Sequence, residues 1–155
     1  MGMTDLDRLR KGYLVYTGTL RSTVPSLLRS VIVNGYDTLV SSEYFAQSAD
    51  VHLVLGNIGE DDYTVPTPDG AGASYEASLR RLSRVVCSDL EEIGEEGALE
   101  IAGAFYREQS GLIAGQVERV MNETGSSRVI AAGIGSHIIS RIFGCTDLSR
   151  EDGIF

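Results

Sequence analysis

Residues Arg128 to Gly144 read RVIAAGIGSHIISRIFG, and this order constrains the fold more than any other stretch. Val129–Ala132 is a fully apolar run, the pattern of a strand buried in a parallel sheet. Gly133-Ile134-Gly135 then supplies a turn, and Ser136 is placed to cap a helix ending at Gly144. Strand, glycine turn and helix in that order make an α/β unit. Such turns are where α/β folds place ligands, because glycine lets a ligand approach the backbone N–H groups. The run has GxG without a third glycine, so a structural turn and a ligand turn are both open readings.

The preceding chain carries further local signals. Thr4 is placed to cap DLDRLRK, with Asp5 at the positive helix end and Gly12 as its stop. Tyr13–Tyr16 reads as a short strand, and Pro25 as the start of a short helical segment through Leu28. Asn34-Gly35 between Ser30–Val33 and Tyr36–Val40 predicts a hairpin, since both turn residues tolerate positive φ. A helix is expected from Glu43 to Leu55, capped by Ser41 or Ser42 and stopped by Gly56, followed by a loop from Asn57 to Gly72. Ser74 opens another helix, with Ala77, Leu82, Val85 and Val86 on one face and Arg80, Arg81 and Arg84 on another. The arginine stripe reads as a solvated face paired with acids, with anion binding as the alternative. A long helix is expected from Glu95 to Glu123, stopped by Gly125; Gly103, Gly111 and Gly115 within it read as points of close backbone approach.

Charge narrows the function. The 155 residues carry 22 acidic and 13 basic side chains, a net charge of −9, and Lys11 is the single lysine. Such a surface repels phosphate backbones, which argues against nucleic-acid binding. No apolar run approaches the roughly 20 residues of a membrane helix, and the start has no signal-peptide pattern, so a cytoplasmic protein is expected. Cys87 and Cys145 read as buried, reduced thiols, and neither they nor His52 and His137 have metal-ligand spacing. The acidic run Gly59–Tyr63 reads as a solvated loop, with magnesium binding as the alternative.

The densest polar constellation is Leu14–Val24, LVYTGTLRSTV. Thr17, Gly18, Thr19, Ser22 and Thr23 offer donors, and Arg21 offers a fork that fits phosphate or carboxylate. The competing reading is a polar turn whose hydroxyls bond their own backbone.

Five segments in order, TDLDRLRKGYLVYTGTLRSTV, SSEYFAQSADVHLVLGNI, a loop ending TPDG, RRLSRVVCSD and VIAAGIGS, resemble the hydantoinase/oxoprolinase-like proteins of the tetrahydromethanopterin-linked one-carbon pathway. The family includes archaeal synthases of methanofuran biosynthesis. The resemblance implies an α/β fold of the acetate kinase, sugar kinase, Hsp70 and actin superfamily. It implies one incomplete domain with a small strand-helix insertion near residues 13–90, and a fragment matching the second half of a member. It further implies condensation of an aminomethylfuran diphosphate with γ-glutamyltyramine, releasing diphosphate. Arg21 is then the catalytic cation, with Thr17, Gly18 and Thr19 binding the small anionic substrate and Gly133 and Gly135 on the cofactor side. Magnesium is expected to be held by the complete protein, not by this chain, and ATP belongs to an alternative kinase or hydrolase reading. A non-catalytic chain pairing with a separate N-terminal half, or with itself through an exposed cleft face, is the remaining alternative.

Overall fold

The structure, a computed structural model, describes residues 3–148. It is a mixed α/β chain in which the described residues form five helices and two small two-stranded sheets. Two compact units are distinguished. One takes Gly18–Glu108, and the other takes Met1–Thr17 with Gln109–Phe155. The segment TDLSREDGIF, which resembles the start of the family's closing stretch, lies partly outside the described residues.

In the Gly18–Glu108 unit, β1 (Ser30–Val33) and β2 (Tyr36–Leu39) form the expected antiparallel hairpin. Asn34 and Gly35 have φ of 51° and 83°, the mirror-image turn whose twist matches that of the strands. The turn is pinned from outside: Asn34 N donates to Glu100 Oε2 at 2.7 Å, and its Nδ2 donates to the Ile93 carbonyl at 3.1 Å. β1 alternates exposed and buried, so Val31 and Val33 enter the core while Ser30 and Ile32 face outward.

α2 spans Ser48–Val54, not Glu43–Leu55. The five preceding residues stay non-helical because Gln47 is bridged to Thr23 in an antiparallel pair. Asp50 Oδ2 then accepts from Gln47 N at 3.0 Å, an acidic cap in place of Ser41 or Ser42. Gly56 closes the helix as expected, at φ 67°. All seven residues of α2 are buried, so it is a core helix and not an amphipathic surface one.

α3 (Tyr75–Arg84) begins at Ser74, whose hydroxyl accepts from Ala77 N, and lays Leu79 and Leu82 into the core with Val85 just beyond. α4 covers Leu90–Thr124 but is broken at Gly94, where φ 72° and ψ 172° are not helical. The continuous helix therefore starts beside Glu95, as the periodicity predicts. Ala98, Ile101, Ala102 and Phe105 fill the core against Val24, Val31, Val33, Val51 and Val54. The glycine that matters for packing is Gly97: a Cβ there would stand 3.1 Å from Val33 Cγ1. Gly111 and Gly115, expected to admit another backbone, have nothing within 4 Å among the described residues.

In the other unit, α1 (Asp5–Lys11) has the expected Thr4 cap and a left-handed Gly12 stop. Residues 13–16 are not a strand; Thr17 N donates back to the Val15 carbonyl at 2.9 Å, and residues 13–16 join no ladder among the described residues. After Gly125 (φ 69°), β3 (Ile130–Ala131) pairs in parallel with β4 (Thr146–Asp147). Ala131 is buried but Ile130 is exposed, so this strand is shorter and more open than its apolar run predicts. α5 (Ser136–Phe143) closes at Gly144 as expected. Its cap is Gly135, and Ser136 is the first helical residue.

Both cysteines depart from expectation. They are free, but Cys87 is exposed and Cys145 half-buried. Cys87 sits at φ 56° just past the C-terminal end of α3, where the chain turns outward.

Candidate functional site

The structure separates the predicted site residues into two environments. Thr17 belongs to the unit with Gln109, whose Nε2 donates to its hydroxyl at 2.9 Å. Gly18, Thr19 and Arg21 belong to the other unit, where residues 18–23 are fastened to the start of α2. Gly18 N donates to Ser22 Oγ at 2.8 Å, Ser22 N donates to Ser48 Oγ at 3.0 Å, and Ser48 N donates to the Ser22 carbonyl at 2.7 Å. Ser22 is thereby consumed as a staple, in line with the polar-turn reading. Thr19 is buried, whereas Arg21 is exposed. Burial and the Asp50 charge push the Tyr44 hydroxyl up from its ordinary pKa, and the Arg21 charge pulls it the other way, so Arg21 lies within electrostatic reach of Tyr44.

Beneath this surface lies a network that sequence reasoning missed. Asp50 and Arg81 are both fully buried, with Arg81 Nε donating to Asp50 Oδ1 at 2.8 Å. The same oxygen accepts from Ser78 Oγ and from the Tyr63 hydroxyl, each at 3.0 Å. Gln47 Nε2 donates to Tyr63 Oη and to the Pro66 carbonyl, both at 2.9 Å, while its Oε1 accepts from Tyr44. Arg81 Nη1 reaches out to Asp69 Oδ1 at 3.1 Å and to the Gly72 carbonyl at 3.2 Å. Arg84 adds a second contact to Asp69 at 3.3 Å. Arg80, by contrast, stays exposed and pairs with Glu76 and Glu91, as a solvated stripe should. The expectation for a shared arginine face is therefore corrected at Arg81. It lies on the helical stripe of Ser78, Leu82 and Val85, so α3 turns it inward.

Burial pushes the Asp50 carboxyl up from its ordinary range, against the opposing pull of Arg81 and its donors. Burial and the Asp50 charge push the Tyr63 hydroxyl up as well, so it remains a donor. Asp69 goes the other way. Burial tends to raise it, but the Ala71 N–H and the Arg81 charge outweigh that and hold it below its ordinary value. A carboxylate lowered in the folded state contributes stability above its unfolded pKa and loses it as pH falls through the folded value. Acidification below pH 4 is therefore expected to loosen the 57–72 loop first. Urea denaturation across pH 2–5 should show an acid limb that Asp69→Asn flattens; an unchanged limb would count against a stabilising role for the Asp69 contacts to Arg81 and Arg84.

The Gly133–Gly135 turn is closed by its own bonds. Ser136 N donates to the Gly133 carbonyl at 2.9 Å, and Ser136 Oγ donates to Asp147 Oδ2 at 2.7 Å, linking α5 to β4. Gly133 has φ 91°, a conformation that calls for glycine. The structure thus gives Gly133 a backbone reason to be glycine. Among the described residues, no group of three or more His, Cys, Asp or Glu side chains could hold a metal ion. No helix of the described residues is long and apolar enough to cross a membrane.

The described residues form a mixed α/β chain, and comparison with known proteins identifies its family. The hydantoinase/oxoprolinase family model matches residues 1–149, and the chain belongs to that family. Among curated proteins it is 41% identical over 136 residues to a (4-{4-[2-(gamma-L-glutamylamino)ethyl]phenoxymethyl}furan-2-yl)methanamine synthase of Methanocaldococcus jannaschii. It is 39% identical over 136 residues to a synthase of the same name from Methanococcus vannielii. Each match covers 88% of this chain, but 41% of the first relative's length and 61% of the second's.

Proposed function

We propose that the chain serves methanofuran biosynthesis as part of a synthase that condenses an aminomethylfuran diphosphate with γ-glutamyltyramine. The observation that carries this reading is the similarity to two synthases of that product over 88% of the chain. The product's aryl ether defines the step. The phenol oxygen forms a bond to the furan methylene carbon, the bond from that carbon to diphosphate breaks, and the phenol proton is released.

Negative charge builds on the departing diphosphate, so a positioned cation lowers the barrier. Arg21 fits this role because its guanidinium is exposed on a turn held rigidly to α2 by Ser22 and Ser48. Gly18 and Thr19 flank it, with the buried Thr19 shaping the turn. Arg21 is the cation this chain would contribute to that step.

The test is diphosphate release from the furan diphosphate in the presence of γ-glutamyltyramine. Arg21→Ala should reduce turnover by about 10–100-fold, the worth of one charge-assisted hydrogen bond, with partial recovery in Arg21→Lys. Unchanged turnover would remove Arg21 from the reaction.

A subunit reading has its own support: Leu6 and Leu9 on α1, with Met3 just before it, are 42–55% exposed, an apolar stripe open to solvent. Activity that appears only when the N-terminal part of the Methanocaldococcus relative is added would favour it. ATP binding measured by calorimetry, with no diphosphate release, would favour a kinase or hydrolase of the superfamily.

A further inference from the structure

Within the unit formed by residues 3–17 and 109–148, a cleft of about 340 Å³ opens between the Gly12–Val15 segment, the C-terminal half of α4 and residues 126–130. Its wall is largely apolar, built on Val117, Val120, Met121 and Ile130. Tyr13 closes one side and is held firmly: its hydroxyl donates to Glu123 Oε2 at 2.7 Å, and the Arg119 guanidinium lies 6.0 Å from its ring centre. Gly12 makes room for this brace, since a Cβ there would run into the Arg119 guanidinium. At φ 68°, Gly12 also suits the backbone turn that carries Tyr13 to the cleft.

Gln116 and Arg128 are among the polar side chains of this wall. Gln116 lines the wall, but its Oε1 is sealed from solvent and has no hydrogen-bond partner among the described residues. Arg128 is the one charged residue lining the cleft, and no carboxylate pairs with it among the described residues. An unpaired arginine at an apolar cleft is notable in a chain of net charge −9. Few convergent polar groups on an apolar wall, at the small end of ligand-pocket volumes, describe a small-molecule site.

We propose that this cleft binds a small aromatic carboxylate. The carboxylate meets Arg128 at the rim, and the ring packs between Tyr13 and Met121. An aromatic ring suits both neighbours, the Tyr13 ring and the polarisable sulfur of Met121. The inference rests on the cleft alone and is independent of the reaction proposed above.

Isothermal calorimetry with 3-(4-hydroxyphenyl)propionate tests it on the full chain. Tyramine, which has the same ring with a cationic end, and inorganic phosphate serve as comparisons. The carboxylate is expected to bind, and the other two to bind at least about tenfold more weakly, since only the charge or the ring is lost. Arg128→Gln, an exposed change that leaves the core intact, should weaken the carboxylate about tenfold. Val120→Trp should abolish binding by filling the cleft, with a circular dichroism spectrum matching the parent. Equal binding of tyramine, unchanged affinity in Arg128→Gln, or no binding of the carboxylate would each overturn the proposal.

Discussion

Arg81→Ala is expected to lower the free energy of unfolding by about 3–5 kcal/mol, a large part of the stability of a chain this size. The reason is not the strength of the ion pair but what its loss leaves behind. Asp50 would remain in the core with its charge unmatched, and desolvation without a partner is costly. The Asp69 and Gly72 contacts to Arg81 would go at the same time, releasing the 57–72 loop from α3. A double change, Asp50→Leu with Arg81→Met, leaves no orphaned charge and should cost less than the sum of the single changes. Guanidinium denaturation of the three variants measures this. A single-variant loss under about 1 kcal/mol, or strict additivity, would show that the pair does not hold the core.

Phe105→Ala is expected to cost about 3–5 kcal/mol by a different route, the cavity left by a large side chain. Phe105 is fully buried and belongs to the cluster that joins α4 to the hairpin, α2 and α3. Its removal therefore loosens several elements at once. Leu112→Ala on the same helix is the control: Leu112 is 41% exposed and should change stability by no more than about 0.5 kcal/mol. Similar losses from both variants would mean that the described packing is wrong.

Much of the local structure was readable from short stretches. The Thr4 cap, the Asn34-Gly35 turn, the Ser74 cap and the Gly56, Gly125 and Gly144 stops all behave as their chemistry predicts. These features depend on neighbours within four residues, which a linear reading contains. The long helix was legible too, apart from the turn before Gly94, because its periodicity runs for eight turns.

The misread elements share one cause. α2 starts five residues later than its local signals predict because Gln47 is bridged to Thr23, a pairing 24 positions away. Arg81 looked like its neighbours Arg80 and Arg84 because nothing local marks which of three arginines meets Asp50, 31 residues upstream. A signal did exist. Asp50 stands in an apolar helix, and a buried carboxylate must find a cation, but the choice of partner is made by the packing of α2 on α3. Residues 13–16 have strand-like composition, yet a strand needs a ladder, and composition carries no information about one.

For the site, the one-dimensional order supplied Arg21 and its hydroxyl neighbours as candidates, and the family resemblance on the same segments. The structure decided which of them face solvent. Ser22 is spent on α2, Thr19 is buried and Arg21 is open. Side-chain type and local turn chemistry are properties of short sequence. Exposure and ionic partnership are set by elements that meet only when the chain folds, so the Asp50–Arg81 pair and the Tyr13 cleft became visible only in three dimensions.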